Sequence, residues 1–198
     1  MYGGFFVTWA EIGMGLLGNE KDAIDRDYGL RIAKTDDAGL LADLGQQTFI
    51  EAFGNLYGVD DLAMFLAESH CKDAYTTTLR DPHRQIWIAE HYENGPVGFA
   101  VTGPSTLPVP QMPESAGELQ RLYLLENAQN AGLGGRLMDK AMAWLIARFD
   151  HLYISVYSEN FGAQRFYQRY GFRKIHDYHF MVGNQADPEF IYYRPAAG

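Results

Sequence analysis

The sequence predicts an α/β domain, α+β by some schemes, built as a mixed and mostly antiparallel sheet flanked by helices. Three observations predict it. Two β-rich runs, residues 85–92 and 96–103, are separated by Asn94-Gly95, the signal of an antiparallel hairpin with a type I′ turn, whose central residues need positive φ. Residues 118–124 alternate as a strand and pass through a glycine-rich turn into a helical pattern. A second strand, 152–157, passes into a second helix, 160–170, which stops at Gly171, a residue suited to a left-handed C′ position.

In chain order, residues 1–27 are glycine-rich and then charged, and read as an N-terminal extension, with a helix around 9–17. Residues 28–198 read as one domain. Residues 30–33 form a short strand, and Thr35 or Asp36 caps a helix in which Leu40, Leu41, Leu44 and Thr48 recur at helical spacing. Asp60 or Asp61 opens a second helix through Leu62, Phe65 and Leu66. After the hairpin, a proline-rich loop (104–113) leads to strand 118–124, with Leu122 and Leu124 on one face and Tyr123 on the other. The helix 136–149 carries Leu137, Ala141 and Leu145 on its apolar face, and residues 172–182 and 190–194 finish as strands.

Composition excludes several classes. The 198 residues carry a formal net charge of −9, which opposes the basic field that nucleic-acid binding needs, although acidity of this size mostly serves solubility. The single cysteine, Cys71, cannot form an internal disulfide, and no Cys/His cluster has zinc spacing. The early apolar stretch 5–17 contains Glu11 and is too short to span a bilayer. The chain is therefore expected to be cytoplasmic, without metal, nucleic acid or membrane.

The most informative segment is Gln129-Asn130-Ala131-Gly132-Leu133-Gly134-Gly135-Arg136, between a strand and a helix. Backbone N–H groups at a helix N-terminus bind phosphate oxygens, and glycines let the backbone approach them. A Walker loop would need Gly-Lys-Ser/Thr where Gly135-Arg136-Leu137 stands. A dinucleotide fingerprint would need a small residue at Leu137 and an acid closing the next strand, where Tyr157 and Ser158 lie. A glycine turn without a ligand is the bland alternative. Downstream, Asn160 is a natural N-cap, while Ala163, Phe166, Tyr167 and Tyr170 share a helix face. Phe166 and Phe172 read as core, but Tyr167 carries a hydroxyl that needs a partner if buried.

Gln129-x-x-Gly132-x-Gly134, with Asn160-x-x-Ala163-x-x-Phe166-Tyr167 and Gly171-Phe172 downstream, resembles the two core motifs of the GNAT superfamily of acyl-CoA N-acyltransferases. The resemblance spans about residues 30–194. Gln47-Thr48-Phe49, Ala52-Phe53 and His179-Phe180-Met181-Val182-Gly183 are similar to the bacterial spermidine/spermine acetyltransferase branch. It implies a sheet of about six to seven strands with a splayed central parallel pair, and transfer of an acetyl group from acetyl-CoA to a primary amine, with a polyamine among the acceptors. It also implies that the backbone near Leu122 and Leu124 pairs with the pantetheine arm, that Gln129, Asn130, Ala131, Gly132, Leu133, Gly134 and Gly135 take the pyrophosphate, and that Asn160 contacts the cofactor. Tyr167 then lies near the thioester sulfur. Glu126 departs from the proline that many relatives carry after the strand.

Two catalytic roles follow. Glu118, six residues before Leu124, is the candidate general base, the alternative being an exposed strand end or an ion pair with Arg121. Tyr167 is the candidate general acid, with proton transfer to the expelled thiolate expected to be downhill or nearly neutral. Glu51, Asp60 or Asp61 could line an acidic acceptor side. A peptide N-terminus, lysine, amino sugar or antibiotic are alternative acceptors, and a catalytically silent CoA-sensing or interaction domain is the alternative from another class. An edge strand at 190–194 and the aromatic extension are compatible with a homodimer.

Overall fold

The computed structural model of the chain describes residues 27–129 and 131–196. The expected helix around 9–17, most of the N-terminal extension and Asn130 lie outside the described residues. Seven strands form one sheet in the order β1-β2-β3-β4-β5-β7-β6. They are β1 (Tyr28–Ile32), β2 (Gln85–His91), β3 (Gly95–Pro104), β4 (Ala116–Leu124), β5 (His151–Tyr157), β6 (Arg173–Val182) and β7 (Gln185–Pro195). The helices are α1 (Ala38–Phe53), α2 (Val59–Ser69), α3 (Lys72–Arg80), α4 (Leu133–Ile146) and α5 (Phe161–Arg169). None of the helices among the described residues is long and apolar enough to cross a membrane.

The sheet is antiparallel except at its centre. β4 and β5 run parallel and pair only at their starts, Ala116 with His151, Gly117 with Leu152 and Glu118 with Tyr153. Beyond Glu118 the two strands part. A β-bulge explains the divergence: on β3 the register passes from Val101 opposite Arg121 to Thr102 opposite Leu119, so Gln120 is the extra residue. Such a bulge bends its strand and increases the local twist. It also turns Leu119, Leu122 and Leu124 to the same face, although strict alternation would separate Leu119 from Leu122.

That face packs on Leu137, Met138, Ala141 and Leu145 of α4 and on Phe166 and Tyr167 of α5. The opposite face, with Ile86, Ile88, Phe99 and Tyr123, packs on Leu41, Leu44, Phe49 and Phe53 of α1. The proline-rich loop folds over the latter side, where Leu107 packs with Ala116, Tyr153 and Ile191. Both faces of the central strands are therefore covered, and the gap between β4 and β5 opens inside the protein.

Several expectations are corrected. The hairpin forms, but not with a type I′ turn: Gly95 has φ +83° while Asn94 has no positive φ, and His91 Nδ1 accepts hydrogen bonds from the Glu93 and Asn94 N–H groups. The N-cap of α1 is Asp37, whose carboxylate binds the Arg31 guanidinium and the Lys34 N–H instead of capping the helix. The strand expected at 190–194 runs from Gln185 and lies between β5 and β6, so it is not an edge; β1 and β6 are the edges. Pro188, a residue that interrupts a ladder by lacking an N–H, lies within it. In the fold Pro188 lies just past the end of β5, and its carbonyl takes the Ser158 N–H, so its missing N–H costs no ladder bond.

Candidate functional site

The glycine turn enters α4 through Gly132, which has φ +71° and serves as N-cap without a side-chain cap. The first backbone bond of the helix runs from the Arg136 N–H to the Gly132 carbonyl at 3.2 Å. The N–H groups of Leu133, Gly134 and Gly135 therefore have no intrahelical acceptor, and they stand at the positive end of the helix dipole. Packing within the chain does not demand glycine at the latter two positions. A Cβ on Gly134 would meet nothing closer than Leu124 Cδ1 at 3.7 Å, and one on Gly135 nothing closer than the Tyr170 hydroxyl at 3.8 Å. Glycine inside a helix costs about 1 kcal/mol relative to alanine. That cost is understandable where a ligand must approach the backbone, so the turn fits a pyrophosphate.

The turn thus stands beside Leu124 at the end of β4, and the Gln129 side-chain amide reaches the Leu124 carbonyl at 3.5 Å. The Leu125 N–H bonds Val97 on β3 at 2.8 Å. Alternation along the strand then points the backbone of Leu122 and Leu124 the other way, toward the side from which β5 has departed. An extended chain with amide groups can add itself to such an edge.

On the far side of the gap, the Asn160 Oδ1 accepts the Ala163 N–H at 3.0 Å and caps α5. One turn on, Tyr167 is fully buried, and its hydroxyl has no hydrogen-bond partner. Burial, with Tyr123 and Glu189 nearby, raises its pKa well above the ordinary 10. The expected energetics are corrected: an ordinary phenol of pKa about 10 already gives its proton uphill to a thiolate of pKa about 8.5, and burial makes the transfer more uphill still. Donation of a hydrogen bond to sulfur as charge develops on it stays favourable.

Glu118 is neither an exposed strand end nor the partner of Arg121. Its carboxyl is fully buried, and Oε2 accepts the Thr106 N–H at 2.8 Å and the Ser105 hydroxyl at 3.2 Å, both from the proline-rich loop. Oε1 has no partner. Burial raises the pKa to about 7, opposed by those hydrogen bonds and by Arg84. The Arg121 guanidinium instead donates to the Ser69 carbonyl at 3.0 Å and lies over the Tyr75 ring.

The acids that could line the acceptor side have these places. Glu51 accepts the Glu126 N–H at 2.9 Å and so anchors the chain just after β4. Asp61 accepts the backbone and side-chain N–H groups of Asn184, holding the β6–β7 turn, and Asp60 is exposed. The buried acids are others. Asp187 takes the Tyr57 hydroxyl and the Gln185 amide, while Glu189 takes the Tyr178 hydroxyl on Oε2 and leaves Oε1 without a partner. Nothing in the motif Asp187-Pro188-Glu189 marks burial, because carboxylates in a strand usually face water.

The comparisons agree with this architecture. The model of the Acetyltransferase (GNAT) family matches residues 49–172, more than half of the chain. An uncharacterized N-acetyltransferase of Mycobacterium bovis is 27% identical over 162 residues, covering 80% of this chain and 97% of the relative. Among solved structures, the PaiA N-acetyltransferase of Thermoplasma acidophilum in complex with coenzyme A aligns with TM-score 0.66 at 16% identity, over 85% of this chain and 98% of that one. The spermidine/spermine N-acetyltransferase SpeG of Vibrio cholerae, in complex with manganese ions, aligns with TM-score 0.59 at 15% identity, over 88% and 95%. With the parted parallel strands, the uncapped glycine turn and the family match in agreement, the chain belongs to the GNAT family and is an acyl-CoA-dependent N-acetyltransferase.

Proposed function

We propose that the protein, through one acetyltransferase domain over residues 28–198 in the cytoplasm, transfers an acetyl group from acetyl-CoA to a primary amine, with a polyamine as the acceptor class. Transfer occurs by direct attack in a ternary complex. The observation that carries this reading is the divergence of β4 and β5 beyond Glu118, with the α4 amides at its mouth and the buried Tyr167 hydroxyl beside it. The amides of Leu133, Gly134 and Gly135 hold the pyrophosphate, and the remaining residues of the motif, Gln129, Asn130, Ala131 and Gly132, share in that role. The edge at Leu122 and Leu124 pairs with the pantetheine arm, and Asn160 orients it from α5.

An alkyl amine of pKa about 10.4 is neutral in roughly one molecule in a thousand at pH 7. Glu118 takes the ammonium proton. The amine then forms the C–N bond as the C–S bond breaks, its second proton leaves to solvent through the acidic side of the pocket, and Tyr167 donates a hydrogen bond to the departing thiolate sulfur, which takes its own proton from solvent. The buried acids Glu118, Asp187 and Glu189 support a cationic acceptor without a carboxylate near its nitrogen.

Because the base must be ionised, activity is gained as pH rises through its pKa. For wild type, kcat/KM for the amine is expected to climb with a midpoint near the Glu118 pKa of about 7. Glu118→Gln should displace that midpoint and lower kcat/KM by about 100-fold or more. An unchanged profile in steady-state kinetics would exclude Glu118 as the base. A thiol-release screen over spermidine, spermine, small amines and peptides tests the acceptor: activity confined to peptides would reject the polyamine reading, and CoA binding with no turnover on any amine would favour a silent CoA-sensing domain.

A further inference from the structure

Six buried side-chain polar atoms among the described residues lack a hydrogen-bond partner, and four of them belong to Glu118, Ser155, Tyr167 and Glu189. These four residues lie on β4 and β5, the strands that part, on α5, which packs on them, and on β7, which pairs with β5 on its other side. A buried polar atom without a partner has given up its hydration for nothing in return. One such atom can be an accident of packing. Four gathered around one gap mark a place where a polar ligand completes the set.

Register locates three of them on one face. Glu118 is opposite Tyr153 on β5, and Glu189 is opposite Tyr157. Ser155 lies midway between these two β5 positions, and alternation turns Tyr153, Ser155 and Tyr157 to the side away from Leu152, Ile154 and Val156, which face α4 and α5. Glu118, Ser155 and Glu189 thus run diagonally across β4, β5 and β7 beneath the proline-rich loop. Only Tyr167 comes from the other face. Its hydroxyl is within the field of Glu189.

We propose that Glu189 is a second acceptor-binding residue of this site, using its Oε1 to bind the positive charge of the incoming amine while Glu118 acts on the same substrate from β4. The inference rests on the acetyltransferase reading above and adds to it a specificity-determining residue. The charge arithmetic supports a cation. The charged groups that bear on Glu189 are Asp187 on its own strand and Glu118 on β4, both acidic. Its other neighbours with titratable hydrogens are Tyr178 on β6, Tyr123 on β4, Tyr167 on α5 and Tyr57 before α2, all phenols that stay protonated near neutral pH. Ser155 completes the surroundings from β5. Burial, opposed by the Tyr178 and Ser155 hydroxyls and reinforced by the two acids, raises the Glu189 pKa to about 8, so the empty site holds protons that a bound ammonium would displace.

Glu189→Gln tests this, because the amide oxygen can still accept from the Tyr178 hydroxyl while the negative charge is lost. Spermidine is titrated into the CoA-saturated protein by calorimetry, in buffers of different ionisation enthalpy, near pH 7.5. Wild type is expected to release protons on binding. Glu189→Gln should bind spermidine about 10-fold more weakly or worse, release fewer protons, and raise KM for the amine while KM for acetyl-CoA stays put. Ser155→Ala, which removes no charge, should weaken binding by less and leave proton release intact. Wild-type affinity and proton count in Glu189→Gln, with turnover intact, would overturn the role of Glu189 and leave the acetyltransferase reading standing. A wild-type protein that neither binds nor acetylates any amine of the panel would overturn both.

Discussion

Tyr167→Phe is expected to lower kcat by about 100- to 10,000-fold while CoA affinity and thermal stability are retained. The second half of that expectation separates chemistry from packing. The ring of Tyr167 is fully buried in the core formed with Leu122, Leu124, Leu133 and Phe172, and phenylalanine keeps all of that surface. The hydroxyl makes no hydrogen bond, so deleting it removes a desolvated polar atom and should leave the fold unchanged or slightly more stable. A residue that served only the core would thus show no loss on this change. Single-turnover kinetics with saturating amine and acetyl-CoA provides the check, and full turnover in the variant would take Tyr167 out of the chemistry.

Gly134→Asp should weaken CoA binding by about 10-fold or more. The fold tolerates the side chain, since its Cβ makes only an ordinary contact with Leu124. An acid in the first turn even favours the helix by about 0.3–1 kcal/mol through the dipole. The same carboxylate would occupy the position assigned to phosphate oxygens and repel their charge. Loss of binding with an unchanged or raised unfolding midpoint therefore reports on the ligand site. Equal CoA affinity in wild type and variant by calorimetry would count against the assignment of the turn.

Legibility differed along the chain for physical reasons. Gly132, Gly134 and Gly135 were readable because a helix that begins with glycines forgoes stability for backbone access, and their spacing survives in the sequence. Leu122, Leu124 and Tyr123 separated correctly onto two faces. The bulge at Gln120 was not legible, since it depends on pairing with β3. α3 was missed because Lys72-Asp73-Ala74-Tyr75-Thr76-Thr77-Thr78 has a weak helical pattern and buries only Tyr75. Its threonines are accommodated by bonding back to carbonyls: Thr76 to Lys72, Thr77 to Asp73 and Thr78 to Ala74. Burial of Asp187 and Glu189 was not legible, because carboxylates in a strand usually face water and Pro188 stands between them.

The central claim is that the amides opening α4 receive the diphosphate of coenzyme A. Backbone amide resonances of isotope-labelled protein, followed during a CoA titration, test it directly. The largest shifts are expected at Leu133, Gly134 and Gly135, with smaller ones along the free-standing edge at Leu122. Saturation with CoA that leaves those resonances in place, while others move, would contradict it.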